Sequence, residues 1–389
     1  MSRRAAAEAH DHSEIPEPDR VPGAPHPRQT LRLFGQERAE RGFLDAWGAG
    51  RLHHGWLLRG PQGVGKATLA YRIARALIAH DPGAPPPNGL DMPTDHPVVR
   101  RIAAGAEPRL RAVVRPLRRK PGSRAFVEPL QRAAEITVGE IRELGEFLHL
   151  SAADGGWRAV VVDAADELNV AAANALLKLL EEPPARCVLL LVAHAPGRLP
   201  PTIRSRCRTL DLHPLPPDAF AAALAQAGAA TAASEALAEL SRGAPGDALA
   251  MAAEDGPALY AELAALASGA PGLDRRRLRA LAASCAGREA AGRYSLAVRF
   301  SVLLLQRLAR AGAGAPLTEA APREAEIARA LSSDPARARL WAELAAQIEA
   351  SAAQARAVNL DPEQTILDIW LRVDAAAGRA ARAPASSSP

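Results

Sequence analysis

The sequence predicts an α/β fold built on a parallel sheet in the N-terminal half, followed by an all-helical C-terminal half. Three observations carry this. Short uninterrupted apolar runs alternate with helix-length stretches from Trp56 to Leu212, as expected for strands buried on both faces beneath crossover helices. A glycine-rich stretch falls between the first such run and the first such helix. After Leu212 the strand-like runs stop, and Ala/Leu periodicity of helical type continues as far as Ala377.

The elements follow in order. Trp56-Leu57-Leu58 reads as a strand leading to a helix over Ala67 to Ala79. Ile136-Thr137-Val138 reads as a second strand before a helix over Gly139 to Leu150. Ala159 to Val162 precedes a helix over Val170 to Glu182, and Val188 to Val192 and Leu210-Asp211-Leu212 complete the sheet. Pro214, Pro216 and Pro217 punctuate the change to helices. Between the first helix and the second strand lies an insertion, 80–128. It is rich in proline at its start and basic from Arg100 to Arg124, and its length predicts a functional or mobile loop. Residues 1–27 read as a disordered leader and 379–389 as a disordered tail.

Composition narrows the class. The 389 residues carry a formal net charge of +5 and a pI near 9.5, which permits contact with a phosphate backbone without requiring it. No run approaches the length needed to span a bilayer, and the N-terminus has no apolar core of the secretory kind, so a cytoplasmic protein is expected. Cys187, Cys207 and Cys285 stand far apart, so no zinc ribbon or disulfide framework is expected. Cys187 and Cys207 flank apolar strands and read as packing residues.

The chemistry begins at Gly60-Pro61-Gln62-Gly63-Val64-Gly65-Lys66-Ala67-Thr68, between a strand and a helix. That context defines a phosphate-binding P-loop: glycines let backbone N–H groups turn inward, the helix N-terminus adds positive potential, and Lys66 reaches the β- and γ-phosphates. Candidate nucleotide-binding residues are Gly60, Pro61, Gly63, Val64, Gly65, Lys66, Ala67 and Thr68. A hydrolysing loop has Ser or Thr after the lysine, to ligate Mg²⁺. Here that residue is Ala67; Thr68 follows, turned by about 100° around the helix, and cannot simply substitute. The second acidic element is Ala159 to Asp163, an apolar strand ending in a carboxylate that could hold Mg²⁺ through water. The next residue, Ala164, cannot polarise water. Phosphoryl transfer depends on such positioning and charge, so loss of the hydroxyl and the base argues against hydrolysis.

The stretch Asp163-Ala164-Ala165-Asp166-Glu167-Leu168-Asn169, the run Leu176-Leu177-Lys178-Leu179-Leu180-Glu181-Glu182-Pro183-Pro184, and Thr202-Ile203-Arg204-Ser205-Arg206-Cys207 closely resemble bacterial clamp loaders of the AAA+ family. The match runs from roughly Leu33 to Leu212; Asn359-Leu360-Asp361 extends it more loosely. The resemblance implies an AAA+ domain over 28–212, a small helical lid over 213–270 and a helical collar for oligomerisation over 271–378. It implies a hetero-oligomer with gamma/tau and delta subunits of DNA polymerase III that opens a sliding clamp and places it on primed DNA. Ala67, Ala164 and Gly246, where hydrolysing relatives carry a sensor arginine, favour the non-hydrolysing delta-prime type over an active gamma/tau-type ATPase, which stays as the alternative. ATP would then be held, if at all, without hydrolysis, and Mg²⁺ is left open. The insertion lacks the cysteine cluster with which many relatives bind zinc, so no zinc is expected. Arg206 would act as an arginine finger on a neighbouring subunit's ATP, its planar fork matched to phosphate oxygens. The basic residues of the insertion, among them Arg109, Arg111, Arg118 and Arg119, read as a solvated loop sooner than a nucleic-acid track.

Overall fold

The computed structural model describes residues 17, 20, 21, 23–81, 83–120, 123, 126–127, 132–149, 156–229, 234–287, 289–358 and 360–382. By contacts the chain divides into two compact units: 1–230 with 243–247, and 231–242 with 248–389.

The first unit opens with α1 (Glu37–Gly48), β1 (Gly55–Arg59) and α2 (Lys66–Ala79), then α3 (Pro97–Ala103), β2 (Leu110–Val113) and α4 (Val138–His149). It continues with β3 (Arg158–Asp163), α5 (Val170–Glu181), β4 (Cys187–Ala193), the short α6 (Pro201–Arg204), β5 (Arg208–Asp211) and α7 (Pro217–Gln226). The strands form one parallel sheet in the order β2-β3-β4-β1-β5. Every residue of β4 is buried, as are Ala159 to Val162 of β3, because helices cover both faces. One face packs Leu57, Val160, Val162, Leu189 and Leu191 against Ile141 and Leu144 of α4 and Ala173, Leu176 and Leu180 of α5. α5 starts where the Asn169 side chain accepts the Ala172 N–H at 2.9 Å, an N-cap, and ends at Glu181 just before Pro183-Pro184.

Two expectations change. Ile136-Thr137-Val138 is not a strand: Ile136 makes a single bridge to Leu168, and Val138 opens α4. Thr137 and Glu140 decide this. The Glu140 carboxylate accepts the Thr137 N–H at 3.0 Å and its hydroxyl at 2.6 Å, the reach-back half of a capping box that starts a helix. The missing strand is β2, inside the segment read as a loop. It is a short edge strand pairing only with β3, Leu110 against Ala159 through Val113 against Val162, with Arg111 exposed. Charge and brevity suit an edge and hide it from an apolar-run search. Arg124 lies outside the described residues. Among its described neighbours the basic stretch is largely paired internally: Arg101 and Arg109 with Glu107, Arg111 with Glu143, Arg115 with Glu167.

The ends differ as well. Most of the expected leader lies outside the described residues, but Ala24 and His26 are buried. Two buried arginines of α2 hold the chain that follows, Arg75 donating to the Thr30 carbonyl at 2.6 Å and Arg72 to that of Leu31. Of the expected tail, Arg379 to Arg382 are helical, and 383–389 lie outside the described residues.

The second unit is all helical: α8 (Glu235–Ser241), α9 (Pro245–Ala253), α10 (Gly256–Ala267), α11 (Arg275–Ser284), α12 (Ala291–Gly312), α13 (Glu324–Leu331), α14 (Pro335–Ala357) and α15 (Pro362–Arg382). The first turn of α9, to Asp247, belongs to the first unit. The long helices α12, α14 and α15 pack together around Trp341 and Trp370, both essentially inaccessible. Their ring nitrogens donate to the Leu331 carbonyl at 2.8 Å and the Ser301 hydroxyl at 3.2 Å. A buried ion pair joins α12 to α13: Arg307 contacts both oxygens of Glu324, at 2.7 and 3.0 Å, and the Tyr260 hydroxyl donates to the same carboxylate at 2.5 Å. Burial opposes charge on Glu324, but Arg307, Tyr260 and the Ala320 N–H outweigh it and hold the carboxyl below its usual value. Among the described residues no helix is long and apolar enough to cross a membrane.

Candidate functional sites at the two edges of the sheet

β1 lies between β4 and β5, so the chain leaving it at Gly60 emerges at the carboxyl edge of the sheet with a strand on either side. Gly60, Gly63 and Gly65 all take positive φ, at 146°, 79° and 101°. The turn into α2 demands that of the loop. Close approach also forbids side chains: a Cβ on Gly60 would stand 2.3 Å from the Leu212 carbonyl oxygen. Val64 is buried, Pro61 exposed, and Ala67 and Thr68 half-buried on the first turn of α2.

Lys66 is 3% exposed. Its ammonium donates to the carbonyls of Gly60 at 2.8 Å and Pro61 at 2.6 Å. Burial pushes it down to about 8, against the pull of the Asp163 and Asp166 carboxylates. A phosphate entering the loop must therefore exchange with two backbone carbonyls already bonded to that lysine. Asp163 ends β3, level with Val192 on β4 and, through it, with Leu58 on β1. Two strand spacings, about 10 Å, separate its backbone from that of β1. The sheet thus brings Lys66 and Asp163 within electrostatic reach, as the sequence predicts, and places buried Ala164 beside them.

Two neighbours escaped the sequence reading. Asp166 accepts the backbone N–H groups of His194 at 3.0 Å and Ala195 at 2.8 Å, tying the segment after β3 to the end of β4. A lone aspartate three residues past a strand carries no signal for that role. The second is a backbone contact. The Gly246 N–H donates to the Gly63 carbonyl at 2.9 Å, and a Cβ on Gly63 would lie 2.4 Å from the Asp247 nitrogen. A Cβ on Gly246 would begin 3.0 Å from Gly63 Cα. At Gly246, read above as the sensor-arginine position of hydrolysing relatives, this chain has backbone against backbone, and a side chain would require Gly63 to give by a few tenths of an ångström.

Arg206 stands at the other edge. It precedes β5, which runs parallel to β1 and pairs Arg208 with Trp56, so Arg206 lies at the amino edge while the P-loop leaves from the carboxyl edge. The five residues of β1 set the two about 16 Å apart. The Arg206 side chain is 40% exposed; one terminal nitrogen donates to the Thr202 carbonyl at 3.1 Å, and the other lies 2.9 Å from a carboxylate oxygen of Glu181. Arg208, by contrast, lies over the Trp56 ring at 5.8 Å.

The cysteines sit in apolar surroundings. Cys187 is buried and Cys207 half-buried against the sheet core, and burial pushes both thiols up to about 12. Among the described residues, no three His, Cys, Asp or Glu side chains gather closely enough to hold a metal ion.

A five-stranded parallel sheet in this order, with a glycine-rich phosphate loop after β1 and a carboxylate ending β3, defines a P-loop domain of the AAA+ class. Residues 35–216 match the family described as "DNA polymerase III, delta subunit". Over 154 residues, 40% of this chain and 41% of the relative, the chain is 38% identical to the DNA polymerase III subunit delta' of Pseudomonas aeruginosa. It is 33% identical to the Escherichia coli delta' subunit over 54% of this chain and 57% of that one. To a gamma/tau subunit of Mycobacterium bovis it is 31% identical, over 51% of this chain and 31% of the relative. In each case the match spans less than two thirds of the relative's length. A solved gamma subunit-related protein of Thermotoga maritima aligns with 86% of this chain and 99% of its own, at 16% identity and a TM-score of 0.35. Over 35–216, short of half of the chain, the sequence is similar to DNA polymerase III clamp-loader subunits of both the delta' and the gamma/tau kind.

Proposed function

We propose that the chain is a delta-prime-like clamp-loader subunit that does not hydrolyse ATP itself and supplies Arg206 in trans to an ATPase subunit beside it. It would assemble with gamma/tau and delta subunits, with 213–270 as the lid and 271–378 as the collar, and help open a sliding clamp for placement on primed DNA. The observation that carries this reading is the position of Arg206. It is exposed about 16 Å from its own phosphate loop, so a phosphate it serves belongs to another molecule. Ala67, Ala164 and Gly246 support the first half of the reading: no hydroxyl directly after the lysine, no base directly after Asp163, and no arginine where the resemblance implies a sensor. ATP, if bound, would be held by 60–68 with Asp163 nearby.

The test is a reconstituted loader. A finger is worth about 10³–10⁵ in rate at one site. Because the other sites keep their own, Arg206→Ala should lower the DNA- and clamp-stimulated ATPase of the whole assembly by about tenfold, with assembly intact. Arg206→Lys should rescue poorly, since it keeps the charge but not the fork. The isolated chain should show background turnover only. Turnover by the isolated chain that disappears in Lys66→Ala would establish the gamma/tau-type alternative, and normal clamp loading by Arg206→Ala would reduce Arg206 to surface charge.

A further inference from the structure

We propose that Glu181 is a positioning residue for Arg206: it holds one edge of the guanidinium at the amino edge of the sheet and leaves the rest of the fork for a phosphate on another subunit. This rests on the reading of Arg206 given above. The two side chains meet as an ion pair at 2.9 Å, with 40% and 49% of their surfaces exposed. Arg206 donates from its other terminal nitrogen to Thr202, whose carbonyl also accepts the Ser205 hydroxyl at 3.1 Å. A backbone carbonyl and a carboxylate thus define the plane of a side chain that otherwise has many rotamers.

The bases of both side chains are rigid. Glu181 is the last residue of α5, and the residue before it, Leu180, is 2% exposed, its carbonyl bonded to the His54 ring at 2.8 Å. Gly55 locks this end of α5 to the segment bearing Arg206. A Cβ there would stand 2.8 Å from Leu180 Cδ2, 3.2 Å from the Arg206 carbonyl oxygen and 3.3 Å from the Cys207 sulfur. Helix end, strand start and finger segment therefore meet at one glycine, and only the charged tips are free to move. An exposed pair of this kind shifts an equilibrium by no more than about fivefold. Glu181 therefore orients Arg206 without holding it against an incoming phosphate. The next residue, Glu182, is also exposed and has no ion-pair partner among the described residues, which makes it the matched control.

The experiment uses the reconstituted loader and follows stimulated ATP hydrolysis. Glu181→Gln keeps the shape and removes the charge. It should lower kcat about two- to fivefold, within the range of an exposed pair and less than the loss in Arg206→Ala. KM for ATP and subunit assembly should change less than about twofold. Glu181→Asp should recover part of the loss, and Glu182→Gln should behave as wild type. In an Arg206→Ala background, Glu181→Gln should cost nothing more, because its effect passes through the arginine. An unchanged rate in Glu181→Gln beside a loss in Arg206→Ala overturns the positioning role and leaves the finger standing. A faster Glu181→Gln, or a loss that persists without Arg206, also overturns it. Normal activity in Arg206→Ala itself removes the reading beneath both.

Discussion

At the carboxyl edge of the sheet, backbone meets backbone. Gly63 and Gly246 share a hydrogen bond with no space for a Cβ on Gly63, and Lys66 is buried against two carbonyls of its own loop. At the amino edge, Arg206 and Glu181 meet as exposed side chains on rigid bases. One strand, β1, connects the two. The contrast teaches that a phosphate-loop geometry and the arginine proposed to serve a phosphate stand at different ends of one sheet. Substitutions at the loop should then act on folding, and substitutions at the arginine on the activity of an assembly.

The largest stability effect expected is at Gly63. Alanine there must adopt φ near +79° and place a methyl 2.4 Å from the Asp247 nitrogen. The left-handed conformation costs about 1–2 kcal/mol; overpacking adds about 1–3 kcal/mol. A loss of about 3 kcal/mol in denaturant unfolding is expected; a loss below 0.5 kcal/mol would mean that the Gly63–Gly246 contact is dispensable.

Next in size is Lys66. Its folded pKa of about 8 lies below the unfolded 10.5, so the unfolded chain binds more protons between those values. Stability should therefore rise with pH through about 8 to 10.5, with the full cost of burying the charge present below 8. Lys66→Met removes that rise. Between pH 8 and 10.5 the stability difference between wild type and variant should shift by about 1–3 kcal/mol in favour of wild type, on top of a constant cost for the two carbonyls that Met leaves unpaired. Parallel unfolding curves at every pH would refute the burial of a charged lysine. Taking the difference between the two proteins cancels the thiols and other groups they share.

The smallest effects on stability should come at the other edge. Arg206→Ala should cost less than about 1 kcal/mol, since it removes an exposed pair, although its effect on the assembled ATPase is the largest anticipated anywhere in the chain. Arg208→Ala, which removes a ring contact and no ion pair to Glu181, should leave the assembly's rate within about twofold of normal. If Arg206 and Arg208 variants behave alike in the loader, the two edges do not differ in function.

Much of this was legible in the residues. Strands buried on both faces announce themselves as apolar runs, and β1, β3 and β4 fall within a residue or two of their predicted spans. The glycine loop, Asp163 and Arg206 were all visible as motifs. β2 was not, because an edge strand needs only half a face of apolar residues and carries charge on the rest. Ile136-Thr137-Val138 misled for the opposite reason: three residues of high strand propensity sit where Thr137 and Glu140 start a helix, and the cap outweighs the propensity.

By itself the sequence determined the glycine spacing of the loop, the absence of a hydroxyl at Ala67 and of a carboxylate at Ala164, and the apolar strands that had to become a parallel sheet. Those are properties of residue type and local spacing, and they need no partner to be true. Only the tertiary structure decided that Gly246 presses on Gly63, that Glu181 faces Arg206, and that Arg206 stands at the edge away from its own P-loop. Each of these depends on strand order and on backbones meeting across long stretches of chain. Glu181 and Arg206 are 25 residues apart in sequence and share no local pattern. Their meeting is set by where α5 ends and β5 begins on a common sheet, with a glycine between them that leaves no space for anything else.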